Sequence, residues 1–509
     1  VTRDVQITLQ PANQVLVAVA GSSLQDLLFE QGMEFPCGGN GTCGKCRVRV
    51  IRGELDTSTE DVAQLGQQAV AEGWRLACCA NVSKDVSIQL AQFDASVLMD
   101  DTAVAVSPRP GWGIAIDLGT TTIAAQLVDL STGNVLAFHS GLNPQTRHGA
   151  DIMSRVQYAV NGNGNGGDRL KAMIHDALGN MVEQLCRDAT ANLESTQPLL
   201  EIIIVGNTVM HHLFCGHDLS PLAACPFDSP RLAEQRLTSA ELGWNLSNSA
   251  VVRFLPCLGG FIGSDLLAGV IASGMDQSDR LQVLVDLGTN GEMIVSDGHR
   301  MLGAATAAGP AFEGAKIQMG MRAAAGAIDR VRDVGTRYEC HVIGNVPAKG
   351  ICGSGLIDAI ASARRIGDVD PSGRWVRGGV RLNLEDPVSL HQCDIRELQL
   401  AKGAIAAGVE ILLGKLGHTV DDVADYFLCG AFGNYLDIHN AVQLGLLTCD
   451  ETKVSAMGNT ALRGAKTILL SDGGTDNRIA RICSRVERFG LSEDVHFMDV
   501  YVSHMHFPS

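Results

Sequence analysis

Basic residues are scarce in this chain. Lysine and arginine together number 39 against 56 aspartates and glutamates, a net charge of −17. A nucleic-acid partner held mainly through phosphate contacts is therefore not expected. No apolar, uncharged run reaches the ~18 residues of a membrane span, and no arginine-led apolar segment with a cleavage site opens the sequence. Neither membrane insertion nor secretion is expected. Aromatic residues make up only 5%, which leaves packing to small and aliphatic side chains. Disorder on a large scale is excluded by 46% apolar and 19% charged residues. Glycine and cysteine are plentiful, with 57 glycines and 15 cysteines. An odd cysteine count rules out complete disulfide pairing. A chain of 509 residues is also long enough for two to four domains with cores of their own, so it needs no disulfide staples. A reducing cytoplasm is the expected compartment. There, clustered cysteines act as metal ligands or redox groups.

The first ~94 residues differ in texture from the rest. Val5–Leu9 and Val15–Val19 alternate as strands do, and Ser22 and Ser23 precede a helix through Leu24, Leu27 and Leu28. Further strands are expected at Arg47–Ile51 and Val86–Leu90. This order suits a small β-grasp sheet. Residues 95–111 contain Ser107-Pro108 and Pro110-Gly111 and have no helical period, so they are expected to form a linker. From 112 onward, apolar strands alternate with helical stretches, as in α/β folds. The run Asn161–Gly167 is expected to be a surface loop. One motif recurs: Ile116-Asp117-Leu118-Gly119-Thr120 is echoed by Val285-Asp286-Leu287-Gly288-Thr289. Both copies lead into a second apolar strand, which suggests two related lobes, expected at 112–205 and 206–509.

Cys37, Cys43 and Cys46 stand in a Cys-x5-Cys-x2-Cys loop rich in glycine, and a fourth sulfur is available at Cys78 or Cys79. Structural zinc sites usually carry two short cysteine pairs. One tight loop of three with a distant fourth fits a [2Fe–2S] cluster better. The glycines allow the backbone to wrap closely and aim N–H groups at the cluster. Gly39-x-Gly41-x-x-Gly44 matches a dinucleotide fingerprint only in letters, because it precedes a strand rather than a helix. Adjacent residues in extended chain face opposite ways, so Cys78 and Cys79 are not expected to ligate together. The loop resembles the adrenodoxin and plant-type ferredoxins, β-grasp electron carriers. Within that resemblance Arg75-Leu76-Ala77-Cys78 matches the segment bearing the fourth ligand. The implied ligands are Cys37, Cys43, Cys46 and Cys78.

A strand that ends in Asp-x-Gly-Thr supplies three groups. The carboxylate holds Mg²⁺ through water or orients an attacking water. The glycine admits backbone N–H groups to phosphate oxygens, and the hydroxyls donate to the same oxygens. Two such turns facing each other would clamp a triphosphate, with Asp117, Gly119, Thr120, Thr121 and Thr122 on one side and Asp286, Gly288, Thr289, Asn290 and Gly291 on the other. Glu292 follows the second turn and is a candidate to position water or metal, with an exposed strand-start carboxylate as an equal expectation. These hairpins resemble the phosphate loops of the acetate and sugar kinase, heat-shock chaperone and actin superfamily of ribonuclease H-like ATPases. Within that resemblance, Gly430-Ala431-Phe432-Gly433 matches the adenosine loop, Lys402 lies on a helix that borders adenine, and Gly353 opens a helix that presents amides to nucleotide. For Lys402 a solvated helix face is an equal expectation. For Gly353 the equal expectation is close helix–strand packing. His211 and His212 are consecutive on a helix, about 100° apart, and make a poor joint metal site.

The expected architecture is thus an α/β and α+β multidomain chain: a [2Fe–2S] ferredoxin-like domain, a linker and a two-lobed actin-like ATPase. This combination resembles the reductive activators of corrinoid proteins. Val205-Gly206-Asn207-Thr208-Val209-Met210-His211-His212 and Gly350-Ile351-Cys352-Gly353-Ser354-Gly355 match that family's signatures. The chain departs from the best-described architecture in having a short linker where that has a separate domain. The resemblance implies ATP, Mg²⁺ and a [2Fe–2S] cluster as cofactors, a corrinoid protein and an upstream low-potential donor as partners, and reduction of cobalt(II) to cobalt(I). Plant-type clusters sit near ~−400 mV. Each ~59 mV of uphill gap costs tenfold in a one-electron equilibrium, which gives ATP a task. A homodimer stays open as an assembly state. Other readings are an activator of a different low-potential enzyme, a small-molecule kinase with a fused redox sensor, and a redox-regulated filament or chaperone.

Overall fold

The computed structural model describes residues 4–10, 14–29, 33, 41, 46–90, 100, 102–149, 151–161, 164–193, 197–246, 249–288, 290–309, 311–314, 316–324, 326–335, 337–376, 381–471 and 474–508. The N-terminal sheet contains β1 (Asp4–Gln10), β2 (Gln14–Val19), β3 (Arg47–Arg52), β4 (Trp74–Leu76) and β5 (Val86–Leu90), in the order β2-β1-β5-β3-β4. Helices α1 (Leu24–Phe29) and α2 (Thr59–Ala71) accompany it. Alternation decides which face is covered. Val5, Ile7 and Leu9 are buried, whereas Val15, Val17 and Val19 on the edge strand face outward. The β1–β5 pair is parallel within an otherwise antiparallel sheet, as a β-grasp requires.

The first lobe is built on β6 (Trp112–Leu118), β7 (Thr122–Asp129), β8 (Val135–Leu142), β9 (Leu199–Val205), β10 (Gln235–Thr238) and β11 (Val251–Phe254), in the order β8-β7-β6-β9-β11-β10. Helices α3 (Ile152–Asn161) and α4 (Gly166–Leu193) cover its outer face, and α5 (Thr208–Cys215) and α6 (Ser264–Ser273) follow β9 and β11. The second lobe repeats the plan with β12 (Gln282–Leu287), β13 (Gly291–Ser296) and β14 (Met301–Thr306). After them come a hairpin of β15 (Ala327–Val334) and β16 (Arg337–Val342), and helices α7 (Gly353–Arg365) and α8 (Gln392–Leu416). The sheet is completed by β17 (Asp425–Cys429), β18 (Val454–Gly458) and β19 (Val486–Arg488), with α9 (Ile438–Gln443), α10 (Thr460–Leu470), α11 (Thr475–Arg485) and α12 (Phe497–Met505) around it. Its order is β18-β17-β12-β13-β14-β19. In both lobes an antiparallel three-strand meander is extended by parallel strands beyond its first strand. The repeated Asp-Leu-Gly-Thr is therefore the visible part of a repeated topology.

The expected lobe boundary at 205/206 is too early. β11 pairs in parallel with β9, and β10 pairs with β11, so the first sheet continues to Phe254 and α6 follows it. The run Asn161–Gly167 is also shorter as a loop than expected, because α4 already begins at Gly166.

The lobes share a core in which α6 and α10 lie between the two sheets. A Cβ at Gly464 of α10 would lie 2.1 Å from the Ala268 carbonyl of α6, so these helices cross backbone to backbone. The linker is not free where it is described. Asp100 is buried, and its carbonyl accepts from Lys466 Nζ at 2.9 Å and Gln126 Nε2 at 2.7 Å. Its carboxylate accepts from Arg463 Nε at 2.7 Å, and Ser107 N–H donates to the Leu470 carbonyl. Asp100 and residues 102–107 are thereby strapped along α10. The ferredoxin-like domain touches the first lobe through Leu142 and an Asp26–Arg147 pair at 3.5 Å.

Candidate active site and cluster site

The two glycine hairpins face each other across a cavity of about 360 Å³ between the lobes. Asp117 and Asp286 are the penultimate residues of β6 and β12, and each ends on a turn that doubles back into the next strand. A Cβ at Gly119 would meet the Thr122 carbonyl at 2.4 Å, so that turn accepts no side chain. Asn143 Nδ2 donates to the Gly119 carbonyl at 2.9 Å and fixes the first loop from below. Glu292 is the cross-strand partner of Asp286, where the first lobe has Ala124 opposite Asp117. Its carboxylate is buried in the cavity wall rather than exposed at a strand start.

A fourth carboxylate, Asp265 at the start of α6, lines the same cavity. Burial pushes Asp117 up to about 7, with the Asp286 charge adding and the Asn459 amide opposing. Burial pushes Asp286 up to about 6. Asp265 rises to about 8 through burial and then the Asp286 and Asp117 charges. Glu292 stands well above the usual carboxylate range, through burial and then the three aspartates. The aspartates are recessed in the cavity wall but not fully buried. Four such groups, all hard oxygen donors, are the chemistry that takes Mg²⁺ and its bound waters.

Two helix caps complete the wall. Asn207 caps α5 by accepting from Met210 N–H, and its Nδ2 donates to Thr120 Oγ1 at 2.9 Å. Asn459 caps α10 by accepting from Leu462 N–H, and its Nδ2 donates to Asp117 Oδ2 at 3.1 Å. Sequence reasoning assigned no role to Asp265, Asn207 or Asn459. A polar residue that opens an apolar helix reads as a cap, and here the caps also face the cleft. Arg322, which donates to Thr122 Oγ1 at 3.5 Å, lines the cavity as well.

Gly430, Phe432 and Gly353 meet at the other end of the cavity. Gly430 has φ +90°, and a Cβ there would lie 2.7 Å from Asp286 Oδ1. A Cβ on Gly353 would meet the Phe312 carbonyl at 2.0 Å and the Phe432 ring at 2.6 Å, so close packing demands glycine there whatever else it does. The Phe312 and Phe432 rings stack at 5.3 Å. Ala431 and Gly433 lie on the 3-10 turn behind them. Thr289 lies outside the described residues, and Asn290 and Gly291 continue the second hairpin.

Lys402 is not brought to this site, which corrects the expectation that it borders adenine or faces solvent. It is buried beneath the C-terminal segment, where its Nζ donates to the His506 carbonyl and stands 5.3 Å from the Phe507 ring centre. Burial lowers its pKa to about 8. The cavity it lines, about 920 Å³, is the larger one, but neither glycine hairpin reaches it.

Cys46 at the start of β3 and Cys78 on the 3-10 turn after β4 have their sulfurs 3.2 Å apart, and Cys79 Sγ lies 3.6 Å from Cys78. Cys37 and Cys43 lie outside the described residues. The Cys46 sulfur, and then burial, hold the Cys78 thiol far above its usual range, and thiols packed this closely are suited to sharing a metal as thiolates. Gly41 has φ +69°, and a Cβ there would lie 2.9 Å from Cys79 Sγ. The donor set and the tight glycine backbone fit a thiolate-held [2Fe–2S] cluster.

Three family descriptions account for nearly the whole chain: a 2Fe-2S iron-sulfur cluster binding domain at residues 7–83, the RACo middle region at 112–278, and the C-terminal domain of RACo, the ASKHA domain, at 280–509. The corrinoid activation enzyme RamQ of Eubacterium limosum is 34% identical over 426 residues, covering 77% of this chain and 70% of that protein. A [Co(II) methylated amine-specific corrinoid protein] reductase of Methanosarcina barkeri is 26% identical, covering 72% of each chain. A solved structure of a reductive activator for corrinoid, iron-sulfur protein matches with a TM-score of 0.70 and 27% identity, covering 99% of this chain and 98% of that one. With an N-terminal ferredoxin fold, duplicated actin-like lobes and this set of relatives, the chain belongs to the RACo family of corrinoid-activating proteins.

Proposed function

We propose that this chain couples ATP turnover to the one-electron reduction of cobalt(II) to cobalt(I) in a corrinoid protein of a methyl-transfer system. The observation that carries the reading is the joining, in one chain, of a two-hairpin carboxylate cleft and a packed cysteine site. Cys37, Cys43, Cys46 and Cys78 hold the [2Fe–2S] cluster, which supplies one-electron transfer, and Cys79 remains a neighbouring thiol. Gly119–Thr122 and Gly288–Gly291 bind the phosphates through backbone N–H groups and hydroxyls. Asp117, Asp265, Asp286 and Glu292 line the cavity as the residues that would hold Mg²⁺, which when bound would supply neutralisation of phosphate charge. Asp117, at the end of β6 beside the first phosphate loop, is placed to orient the hydrolytic water. Gly430–Gly433 and Gly353 form the adenosine end, with the Phe312–Phe432 stack as an apolar wall. Asn207 and Asn459 tie α5 and α10 to the loops, so contraction of the loops around phosphate moves helices at the lobe interface.

The chain is acidic overall, so a corrinoid partner needs a locally complementary patch. Work in a reducing cytoplasm with a low-potential upstream donor fits the abundance of free thiols. Among the described residues no helix is long and apolar enough to cross a membrane. The test is anaerobic: the reduced protein, a cobalt(II) corrinoid protein and a low-potential donor are mixed, and cobalt(I) absorption is followed with and without ATP. ATP-dependent appearance is expected. Its absence across several candidate corrinoid proteins, or phosphorylation of a sugar or acid instead, overturns the reading.

A further inference from the structure

His211 and His212 make a poor pair, but the fold groups His211 with other residues. His211 and Cys215 are four apart on α5, so they share a face. The helix ends at Gly216 in the left-handed region with φ +72°, and His217 N–H turns back to donate to the His212 carbonyl at 2.9 Å. This reversal brings the His217 ring over the last turn. One nitrogen each of His211 and His217 and the sulfur of Cys215 then lie within 4.8 Å of one another.

The state of these side chains is unusual. His211 is fully buried, yet neither of its ring nitrogens has a hydrogen-bond partner, and the buried Nε2 of His217 has none either. The Ala233 backbone lies near enough to His211 to favour the charged ring slightly, without the geometry of a bond. An unsatisfied buried polar group costs ~1–3 kcal/mol, so folding alone gives no reason to gather three of them. His212 shows the contrast: its Nδ1 faces the Thr208 carbonyl at 2.8 Å and its Nε2 faces Ser229 Oγ at 2.7 Å, which leaves it nothing to offer. A neutral imidazole carries one N–H and one free ring-nitrogen lone pair, so each of His211 and His217 has one nitrogen to offer.

We propose that His211, Cys215 and His217 form a zinc site on the first lobe, separate from both the cluster and the nucleotide cleft. Two imidazoles and one thiolate are borderline-soft donors, and three protein ligands leave the fourth tetrahedral position to water. Bond lengths of about 2.0–2.3 Å place such ligands about 3.3–3.7 Å apart, so binding draws the three groups together. On uptake a Zn–S bond and two Zn–N bonds form, the Cys215 proton leaves to buffer, and no electron moves. The ion's role is positional. It would lock the end of α5 to the chain that follows, and the other end of α5 carries Asn207, which holds Thr120 of the first phosphate loop.

The test uses full-length protein with its cluster intact, washed with chelator and checked for unchanged iron. Zn²⁺ is titrated against a chromophoric chelator. One Zn²⁺ per chain is expected, bound more tightly than ~1 µM, with the affinity falling ~100-fold or more in Cys215→Ser and in His217→Ala. Co²⁺ added in place of Zn²⁺ is expected to give a thiolate charge-transfer difference band that Cys215→Ser lacks. Wild-type protein that takes up no Zn²⁺ more tightly than ~10 µM overturns the proposal, and so does equal uptake by wild type and both variants. The wild-type titration decides even if a variant fails to fold.

Discussion

Replacing Asp286 with asparagine should stabilise the protein when no cation is present, even though it removes a residue of the proposed ATP machinery. The carboxylate is pushed from 3.8 up to about 6 by burial. Below pH ~4 the group is protonated in both the folded and unfolded chain and has no effect. Between pH ~4 and ~6 the unfolded chain releases the proton while the folded chain keeps it, so the folded state binds more protons and stability falls as pH rises. Above ~6 both forms are ionised and the loss is complete. A tenfold change in a proton-binding constant is worth about 1.4 kcal/mol, so the loss from this one group approaches about 3 kcal/mol. The Asp286→Asn variant avoids that loss and also relieves Asp117, Asp265 and Glu292, each of which the Asp286 charge raises. For lobe-sized units 1 kcal/mol moves the midpoint by ~2–4 °C, so Asp286→Asn should melt as much as ~6–12 °C above wild type at pH 8 in EDTA. The gap should shrink by roughly half at pH 5. With Mg²⁺ and ATP the order should reverse, because wild type gains ligand stabilisation that the variant cannot. Scanning calorimetry of the ATPase transition measures both. A variant that melts below wild type at pH 8 in EDTA, or by the same margin at pH 5 and pH 8, refutes the placement of Asp286 in an uncompensated carboxylate cluster.

Two further outcomes follow from close contacts. Cys78→Ser should abolish the visible absorption and the iron content of the ferredoxin-like domain, whereas Cys79→Ser should keep both. Iron analysis and the reduced-state EPR signal check this, and the reverse pattern would assign the fourth ligand to Cys79. Gly464→Ala drives a Cβ to 2.1 Å from the Ala268 carbonyl, so the α6–α10 crossing must open. A destabilisation of ~1–3 kcal/mol or more is expected in denaturant unfolding, together with a raised KM for ATP.

Much of this architecture was legible in the sequence because its chemistry is concentrated in turns. Asp117-Leu118-Gly119 and Asp286-Leu287-Gly288 are conspicuous twice over, through composition and through repetition, and the duplicated sheet order follows from them. The ferredoxin strands were equally visible, since β1 alternates cleanly between buried and exposed positions. Asp265 was hidden because a carboxylate opening an apolar helix looks like ordinary capping until the opposite lobe is in place. The fate of Lys402 depends on His506 and Phe507, a hundred residues later, and helical periodicity says nothing about what covers a face. The lobe boundary was misplaced because β11 is only four residues long and its partner β9 lies 46 residues earlier, across a helix and several turns.

The strap along α10 also sets a length. The ferredoxin-like sheet ends at Leu90, and the chain is pinned again at Asp100. Ten residue steps span at most ~35 Å when fully extended. Leu90 therefore stays within that distance of Asp100, and a domain kept that close is present locally at no less than ~10 mM, whatever the bulk concentration of the protein. A partner docked on the ATPase lobes would meet the cluster at that concentration. The contact between cluster and cobalt can therefore be weak and brief, formed for one electron and released, because proximity comes from covalent connection and not from affinity.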